Sequence, residues 1–516
     1  MELKKTVCYE DFGAVGDGVT DDVDAIRAAH EYANENKLDV VCNGGKTYYI
    51  GAMTKPIPIL TNVNWGDSKF IVDDRYIAPD YKIGEVYPRV VYSFALPSPG
   101  AITIPGIDEW IKNINAAGGI KADTFKRIEV DFGEKVLLRV YNDEHRNYIR
   151  FGVNQNGGGI QQETVVVDKD GYLDKNTPFM FDYDKVTRVD TFKIDVEPIV
   201  VEGGTFITYP YLTDTPQGGY TIYERGIYCA RSNVTFRNIK HYIEKEGTYN
   251  YDKNEGDCGC PYDGFFSSGL CNNILYENCI VSAHLTYKGN NGAGMGTYDI
   301  MARGSINITY KNCVQENDNF FDSNVGGTWR WGVMGSSGNK GIAYIDSDLT
   351  RFDAHGGVYN PSLIRTNIKY IRLNGAGTFL IEDSKIYNKL IVSLREDYGG
   401  SWHGDVVFKN VTMETYGSVA TLFSNRWYNH YFGFPIYMPD NIIIDNLRLT
   451  NADTVHIFDP KFIEQLEYAL KDEIDGKPNL NKVVPPKKII IKNNTQGLKF
   501  IKPNTEFFKN TEIVEE

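Results

Sequence analysis

Between residues 233 and 446 the chain repeats a six-residue pattern of polar and apolar positions. In each copy the second and fourth positions are apolar, and the last position is Asn or Asp. Alternation with period two predicts a short strand whose second and fourth side chains point inward. A terminal Asn or Asp suits a left-handed turn residue, and equivalent Asn residues can stack as a hydrogen-bonded ladder. Copies spaced 27 to 40 residues apart predict the coils of a solenoid, and they begin at Asn233, Asn273, Asn307, Gly341, Thr378, Asp405 and Asn441.

A second pattern, near the N-terminus, predicts a tight loop followed by a helix. The segment Asp11–Asp22 contains glycines that permit turns which side chains with a Cβ avoid, at Gly13, Gly16 and Gly18. Thr20 is predicted to cap the helix, with Asp21, Asp22 and Asp24 in its first turn, where the helix dipole favours negative charge. An apolar stripe at helical spacing follows, formed by Ile26, Ala29 and Ala33.

The remaining segments divide the chain further. Residues 55–125 are rich in proline and show no period, whereas residues 126–200 alternate as strands with an Asp-Gly hairpin turn at 170–171. This region predicts an antiparallel β insertion, which is either a docking surface or an elaborated loop. Near the C-terminus, Asp459 and Pro460 begin a helical stripe of Phe462, Leu466, Ala469 and Leu470. The predicted units are a cap and first coil (1–54), the irregular segment and insertion (55–200), the solenoid body (201–455) and a C-terminal cap (456–516).

The segment Asp11–Asp22 resembles, almost letter for letter, the N-terminal motif of the pectate-lyase-like superfamily. The resemblance implies a right-handed parallel β-helix, a fold common in phage tailspikes and in polysaccharide lyases and hydrolases. In that family the motif closes the N-terminal end of the solenoid and does no chemistry. The predicted fold is therefore all-β: a right-handed parallel β-helix with an N-terminal capping helix, an antiparallel β insertion and a C-terminal helix and strand cap.

Composition and charge narrow the function classes. The chain has 54 basic and 68 acidic residues, a net charge of −14, and no basic run, which argues against nucleic acid as a partner. A strongly anionic polysaccharide would need a local positive patch. The first residues contain no apolar signal region, and no run reaches the length of a membrane span, so we expect a soluble protein with no ordinary export signal and no membrane insertion. The 35 tyrosines offer flat surfaces of the kind that stack on sugar rings.

The cysteines predict reduced, buried thiols rather than a metal centre. Cys258, Cys260 and Cys271 lie in one glycine-rich region without a clear fourth zinc ligand. Cys279 and Cys313 occupy the same place in successive repeats, which predicts stacked core thiols. We expect neither a metal nor an organic cofactor.

Candidate chemistry concentrates between residues 284 and 405. On a strand, Arg351, Asp353 and His355 point to one face, where a carboxylate can orient an imidazole for acid–base work. Asp299 and Arg303 join them if neighbouring coils stack in register. The predicted catalytic residues are Asp299, Asp353 and His355. The predicted substrate-binding residues are Arg303, Arg351, Trp329, Trp331, Tyr298 and Arg395.

Three functional hypotheses follow. The first is a phage tailspike-like protein of the virion tail that binds and cleaves a host cell-surface polysaccharide, as a homotrimer and together with other tail proteins. The second is a bacterial glycoside hydrolase or polysaccharide lyase unconnected with phage, located in the cytoplasm or released without a signal. The third is a non-catalytic structural or adhesive tail appendage. Hydrolysis is favoured over β-elimination because no run of Ca²⁺-ligating carboxylates is present.

Overall fold

Stacked parallel coils form most of the molecule. The computed structural model describes residues 6–77, 91–152, 157–213, 223–250, 253, 255–259, 263–282, 287–288, 294–295, 298–316, 334–415, 417–426, 430, 432, 435–474, 476–478 and 483–516. Most coils give a strand to each of three faces, and strands of successive coils pair in parallel. The residues between the three faces form one continuous apolar core that runs the length of the solenoid.

The first face is the longest sheet and contains the predicted repeats. Its strands are Thr6–Val7, Asp39–Val41, Val63–Asn64, Ile199–Glu202, Val234–Arg237, Asn272–Glu277, Ile306–Lys311, Asn339–Ile345, Val358–Tyr359, Ser362–Ile364, Gly375–Ala376, Phe379–Glu382, Trp402–His403, Asp405–Lys409, Asn441–Asp445, Lys488–Lys492 and Glu512–Glu515. Corresponding residues of neighbouring repeats pair without a shift, for example Phe236 with Tyr276 and Tyr276 with Tyr310. These rings stack inside the solenoid with centroids 4.9 and 4.8 Å apart.

The other two faces are built in the same way. The second face comprises Asp17–Asp21, Thr47–Ile50, Lys69–Asp73, Thr205–Tyr209, Lys240–Ile243, Ile280–Val281, Val314–Gln315, Asn367–Ile368, Lys385–Ile386, Thr412–Met413 and Arg448–Leu449. The third face comprises Ile57–Pro58, Phe94–Leu96, Ile227–Cys229, Asp263–Gly269, Tyr298–Arg303, Met334–Ser337, Arg351–Asp353, Tyr370–Leu373, Leu390–Leu394, Val419–Ser424, Thr454–Phe458 and Lys499–Ile501. Short pairs outside the faces are Leu212–Thr213 with Cys258–Gly259, Tyr287–Lys288 with Gly294–Met295, Ile436–Tyr437 with Val483–Val484, and Glu473–Ile474 with Lys477–Pro478.

The last position of each repeat adopts the predicted left-handed turn. Asn238, Asn278, Asn312, Asn410 and Asn446 all have φ between 51° and 57°. Their amides form a ladder in which Asn278 donates to Asn238 over 3.2 Å, Asn312 donates to Asn278 over 3.2 Å, and Asn446 donates to Asn410 over 2.9 Å. Asn therefore serves two purposes at this position: it tolerates the left-handed backbone conformation, and its side chain forms a hydrogen bond between coils.

One coil of the solenoid body does not match the six-residue repeat pattern and was not predicted. The strand Ser362–Ile364 lies between the repeats that end at Asp346 and Asp383, and it pairs with both neighbouring strands. Its turn residue is Arg365, with φ of 49°, in place of Asn or Asp. The interval of 37 residues between two predicted copies thus holds two short coils.

The N-terminal helix begins later than predicted. The first helix, α1, spans Val23–Asn36 and buries Ile26, Ala29 and Ala33, as its apolar stripe predicted. Thr20 is not its cap, because its backbone N–H and hydroxyl both donate to Asp17 at 2.8 and 3.0 Å. Asp22 takes the N-cap position instead, and its carboxylate accepts from the backbone N–H of Val15 at 2.7 Å. The loop thus binds its own carboxylates before the helix starts.

The proline-rich segment contributes to the solenoid. The strands at 57–58, 63–64, 69–73 and 94–96 pair in parallel with other coils. Three of these four strands have only two or three residues, which is too short to show an alternating pattern in the sequence. The insertion begins after them. It contains helix α2 (Ile107–Ala116) and an antiparallel sheet of Ala101–Ile102, Val136–Ile149, Gly158–Val167 and Arg188–Lys193.

The C-terminal end follows its predicted chemistry. Helix α3 spans Pro460–Ala469, and the Asp459 carboxylate accepts from the backbone N–H of Lys461 at 2.9 Å. Leu470 falls outside the buried stripe and is 44% exposed. Short 3-10 helices occur at Tyr9–Phe12, Glu396–Tyr398 and Glu506–Phe508. Cys279 and Cys313 are both buried in successive coils, and burial raises the pKa of Cys279.

Candidate functional site

Three of the predicted site residues share one side of a strand. In the segment 351–355, Phe352 and Ala354 lie in the solenoid core. Because side chains alternate along a strand, Arg351, Asp353 and His355 face away from that core. The Nε2 atom of His355 lies 3.7 Å from Asp353 Oδ1, and its side chain is 22% exposed. Asp353 and Arg351 are buried even though they face outward.

These residues belong to a chain of ion pairs that joins neighbouring coils. Asp353 Oδ2 accepts from Arg351 Nε at 2.9 Å, and Asp353 Oδ1 accepts from Arg395 Nη1 at 2.5 Å. Arg395 also donates to both carboxylate oxygens of Asp397, at 3.0 and 2.7 Å. Asp397 in turn accepts from Arg150 Nε at 2.8 Å. We call these five side chains the Arg–Asp cluster.

The charges of the cluster fix the protonation of its members. Burial would raise the pKa of Asp353, but Arg395 and Arg351 outweigh it and hold the pKa well below its usual value. The same balance, with Arg395 and Arg150 as the cations, lowers the pKa of Asp397 to about 2. Burial lowers the pKa of His355, and the charge of Arg395 adds to that effect. At neutral pH both carboxylates are ionised and the imidazole is neutral.

The insertion reaches this cluster with the end of its hairpin. Arg150 follows the long strand 136–149, and the backbone N–H of Phe151 donates to the Asp397 carbonyl at 2.7 Å. The guanidinium of Arg150 lies 5.3 Å from the centre of the Tyr398 ring. The phenyl ring of Phe151 packs on His430, with centroids 4.8 Å apart. The insertion is therefore docked on the solenoid rather than projecting freely.

A second attachment lies further along the insertion. Lys340, on the first face of the solenoid, forms an ion pair with Glu163 of the insertion at 2.9 Å, and both side chains are 1% exposed. The Glu163 carboxylate also accepts from the backbone N–H groups of Met180 and Phe181. Burial lowers the pKa of Lys340, and the negative charge of Glu163 opposes that effect.

A cleft of about 430 Å³ lies between the insertion and the coils. Successive coils supply one side, and the insertion supplies the other. The lining residues are Gly356, Gly357, Asn374, Gly375, Ser401, His403, Pro435 and Tyr437 from the coils, and Ala122, Asp123, His145, Asn147, Gln161, Met180, Phe181 and Asp182 from the insertion. Gly356 directly follows His355, so the Arg–Asp cluster lies beside the cleft.

The cleft combines an aromatic surface with polar groups. The rings of His403 and Tyr437 stack with centroids 4.2 Å apart and planes 12° apart. Gln161 is only 3% exposed, and its Nε2 donates to the carbonyl of Asp182 at 2.8 Å. Within the described part of the chain, its Oε1 has no hydrogen-bond partner. A buried acceptor without a donor calls for an external partner, either water or a ligand.

Comparisons with known proteins place the fold. The sequence matches no protein-family model and no curated protein. Among solved structures, the tailspike protein gp49 from Pseudomonas phage LKA1 is 11% identical with a TM-score of 0.52, over 98% of this chain and 84% of that chain. The fold is a right-handed parallel β-helix.

Two further solved β-helices also resemble the chain. The tailspike gp61 from Pseudomonas phage phi297 is 11% identical with a TM-score of 0.47, over 99% of this chain and 84% of that chain. An exopolygalacturonase from Thermotoga maritima is 13% identical with a TM-score of 0.32, over 99% of this chain and 91% of that chain. At sequence identities this low, the similarity to these structures concerns the fold alone.

The β-helix brings only part of the predicted site together. Arg351, Asp353, His355 and Arg395 meet in or beside the Arg–Asp cluster. The cluster is completed by Arg150 and Asp397. Arg150 carried no signal in the sequence, because the position of the insertion is set by packing between segments nearly 250 residues apart.

Asp299 lies in a different environment. Its carboxylate accepts from His241 Nδ1 at 2.8 Å and from the backbone N–H of Ser282 at 2.6 Å, and it is 1% exposed. His241 Nε2 in turn lies 2.9 Å from the hydroxyl oxygen of Thr208. This buried network links three neighbouring coils of the β-helix.

The remaining predicted substrate-binding residues lie outside the Arg–Asp cluster or outside the described part of the chain. Arg303 is exposed at the end of the strand Tyr298–Arg303, where its backbone pairs with Ser337. The backbone of Tyr298 pairs with Asp263, and its side chain lies outside the described residues. Trp329 and Trp331 also lie outside the described residues. No helix in the described part of the chain has the length and apolar character needed to cross a membrane.

Proposed function

We propose that this protein is a tailspike-like protein that binds a bacterial surface polysaccharide in the cleft between the insertion and the coils. The proposal includes a place in a phage tail, assembly as a homotrimer, and contact with other tail proteins. Its fold is that of a solved phage tailspike at a TM-score of 0.52, and its cleft has the polar and aromatic character that sugars require.

The cleft lining carries the proposal. Sugars present hydroxyl groups at their edges and apolar C–H groups on their faces, so their sites combine hydrogen-bonding groups with aromatic rings. The stacked His403 and Tyr437 provide the aromatic surface. The Oε1 of Gln161, which accepts no hydrogen bond from the described residues, is an acceptor for a sugar hydroxyl in this proposal. Asn147 and Asn374 add amides on opposite sides of the same cleft.

Binding to a panel of purified bacterial capsular polysaccharides and O-chains tests this function. We expect at least one member to be bound, and we expect Tyr437→Ala to weaken that binding about tenfold through loss of ring contact. The matched control is Tyr172→Ala, an exposed tyrosine of the insertion outside the cleft lining. Binding to no member of the panel, or equal loss in both variants, would contradict the proposal.

Cleavage of the bound chain is the second part of the proposal. His355 is neutral and partly exposed beside the cleft, so it can accept a proton there. In this proposal Asp353 orients and balances the imidazole, while Asp299 supports the coil stack and makes no contact with sugar. Arg351 and Arg395 hold Asp353.

Release of reducing ends from the polysaccharide that binds best tests cleavage. His355→Ala should abolish release and retain binding, whereas Asp170→Asn, an exposed change on a hairpin turn, should retain both. Wild-type binding without release would favour the non-catalytic appendage. Release that persists in His355→Ala would assign the chemistry to other residues.

A further inference from the structure

The charged groups that line the cleft are acidic. Asp123 and Asp182 both belong to the insertion and both line the cleft. Across the described residues of the lining there is neither a lysine nor an arginine. Asp123 and Asp182 are exposed, so a bound ligand meets their carboxylates directly.

Three cations near the lining have carboxylate partners. Lys121 pairs with Asp182 at 2.9 Å. Arg395, behind the coil side of the cleft, is 4% exposed and pairs with Asp397 at 2.7 Å. Arg150, at the end of the insertion hairpin, binds the same carboxylate of Asp397 at 2.8 Å. An acidic ligand could recruit these cations only by breaking ion pairs that hold the site together.

A carboxylate ligand in the cleft would therefore be repelled by Asp123 and Asp182. Two like charges about 6 Å apart at the edge of a protein repel enough to lower affinity on the order of a hundredfold. The net charge of −14 on the whole chain acts in the same direction. Hydroxyl and ammonium groups, in contrast, can donate hydrogen bonds to Asp123 and Asp182. The cleft selects by charge as well as by shape.

We propose that the polysaccharide segment held in the cleft carries no acidic group, so that uronate, sialate, phosphate and sulfate units are excluded from it. This inference rests on the proposed polysaccharide-binding function and adds the chemical class of the ligand. Asp123 is its main determinant, because Asp182 shares its charge with Lys121 whereas the insertion offers Asp123 to the cleft as an exposed carboxylate.

The polysaccharide panel tests this inference when it contains neutral, amino-bearing and acidic members. We expect wild-type protein to bind only members without acidic groups in their repeating unit. Asp123→Lys should raise binding to acidic members at least tenfold, and Asp170→Lys, on a hairpin turn outside the lining, should not.

The possible results of this experiment test the charge inference, the role of Asp123 and the proposed function separately. Wild-type binding confined to acidic members overturns the charge inference and leaves the proposed function standing. Identical behaviour of Asp123→Lys and Asp170→Lys overturns the assignment of selectivity to Asp123. Binding to no member overturns the proposed function itself, and the charge inference falls with it.

Discussion

At the scale of single residues, Asp353 shows how a buried carboxylate differs from an exposed one. It faces away from the core by strand alternation, yet it is fully buried between two guanidinium groups. Its negative charge is required there, because removing it leaves Asp397 as the one carboxylate of the cluster beside the guanidinium groups of Arg351, Arg395 and Arg150. Breaking one partner of a buried ion pair typically costs several kcal/mol.

The first prediction concerns this charge. Asp353→Asn keeps the shape and removes the charge, so we expect the free energy of unfolding to fall by about 3–5 kcal/mol. The measurement is chemical denaturation followed by circular dichroism. Asp346→Asn is the control, because Asp346 pairs with Arg365 at the surface, where an ion pair contributes little to stability. Equal stability of the two variants would show that Asp353 is not a needed counter-ion.

At the scale of elements, the repeat pattern predicted what depends on local chemistry. Inward positions such as Phe236 and Tyr276 and turn residues such as Asn278 follow from alternation and from the left-handed preference of Asn, and all were confirmed. The coil at Ser362–Ile364 was missed because Arg365 replaces Asn at its turn. A left-handed Arg is held there by its contacts, including its ion pair with Asp346, and carries no signal in the sequence.

The candidate site was predictable only where it lies on one strand. The shared face of Arg351, Asp353 and His355 follows from alternation alone. The contribution of Arg150 depends on where the insertion docks, and the cleft depends on the gap that this docking leaves. The local sequence of the insertion indicates strands and a hairpin turn. It does not indicate which part of the solenoid they contact, so it predicts neither the role of Arg150 nor the cleft.

The docking of the hairpin end gives a prediction about pH. The pKa of Asp397 is lowered to about 2 in the folded protein, against about 3.9 for an unfolded aspartate. A lowered carboxyl pKa gives stability that is complete above the unfolded value and is lost as pH falls through the folded value. We therefore expect Asp397 to contribute roughly 2 kcal/mol at neutral pH, decreasing between about pH 4 and pH 2.

Acid titration of stability measures this contribution. Asp397→Asn should be less stable than wild type at pH 6, and the difference should shrink as the pH approaches 2. Asp346→Asn serves again as the exposed control and should show a much smaller dependence. A difference between wild type and Asp397→Asn that stays constant from pH 6 to pH 2 would contradict the ionised Arg150–Asp397 link.

At the scale of the whole molecule, two attachments decide whether the cleft has a fixed shape. The hairpin end is held at Asp397, and the body of the insertion is held by the buried Lys340–Glu163 pair. The insertion also has its own apolar core, so it can keep its fold when it is loosened. A ligand that binds between the insertion and the coils is bound more tightly when the cleft is rigid, because the protein then loses less conformational entropy on binding.

The final prediction is that Lys340→Met loosens the insertion without unfolding the solenoid. The variant keeps the apolar stem and leaves the Glu163 charge buried without its partner, which costs several kcal/mol at the interface. We expect faster proteolysis between residues 97 and 198, unchanged resistance of the coils, and a weaker affinity for the polysaccharide bound by wild type. Lys112→Met, which removes an exposed lysine of α2 that pairs loosely with Glu109, is the control and should match wild type. If Lys340→Met binds and resists protease as wild type does, the cleft does not depend on this attachment, and the other contacts of the insertion are sufficient to hold it.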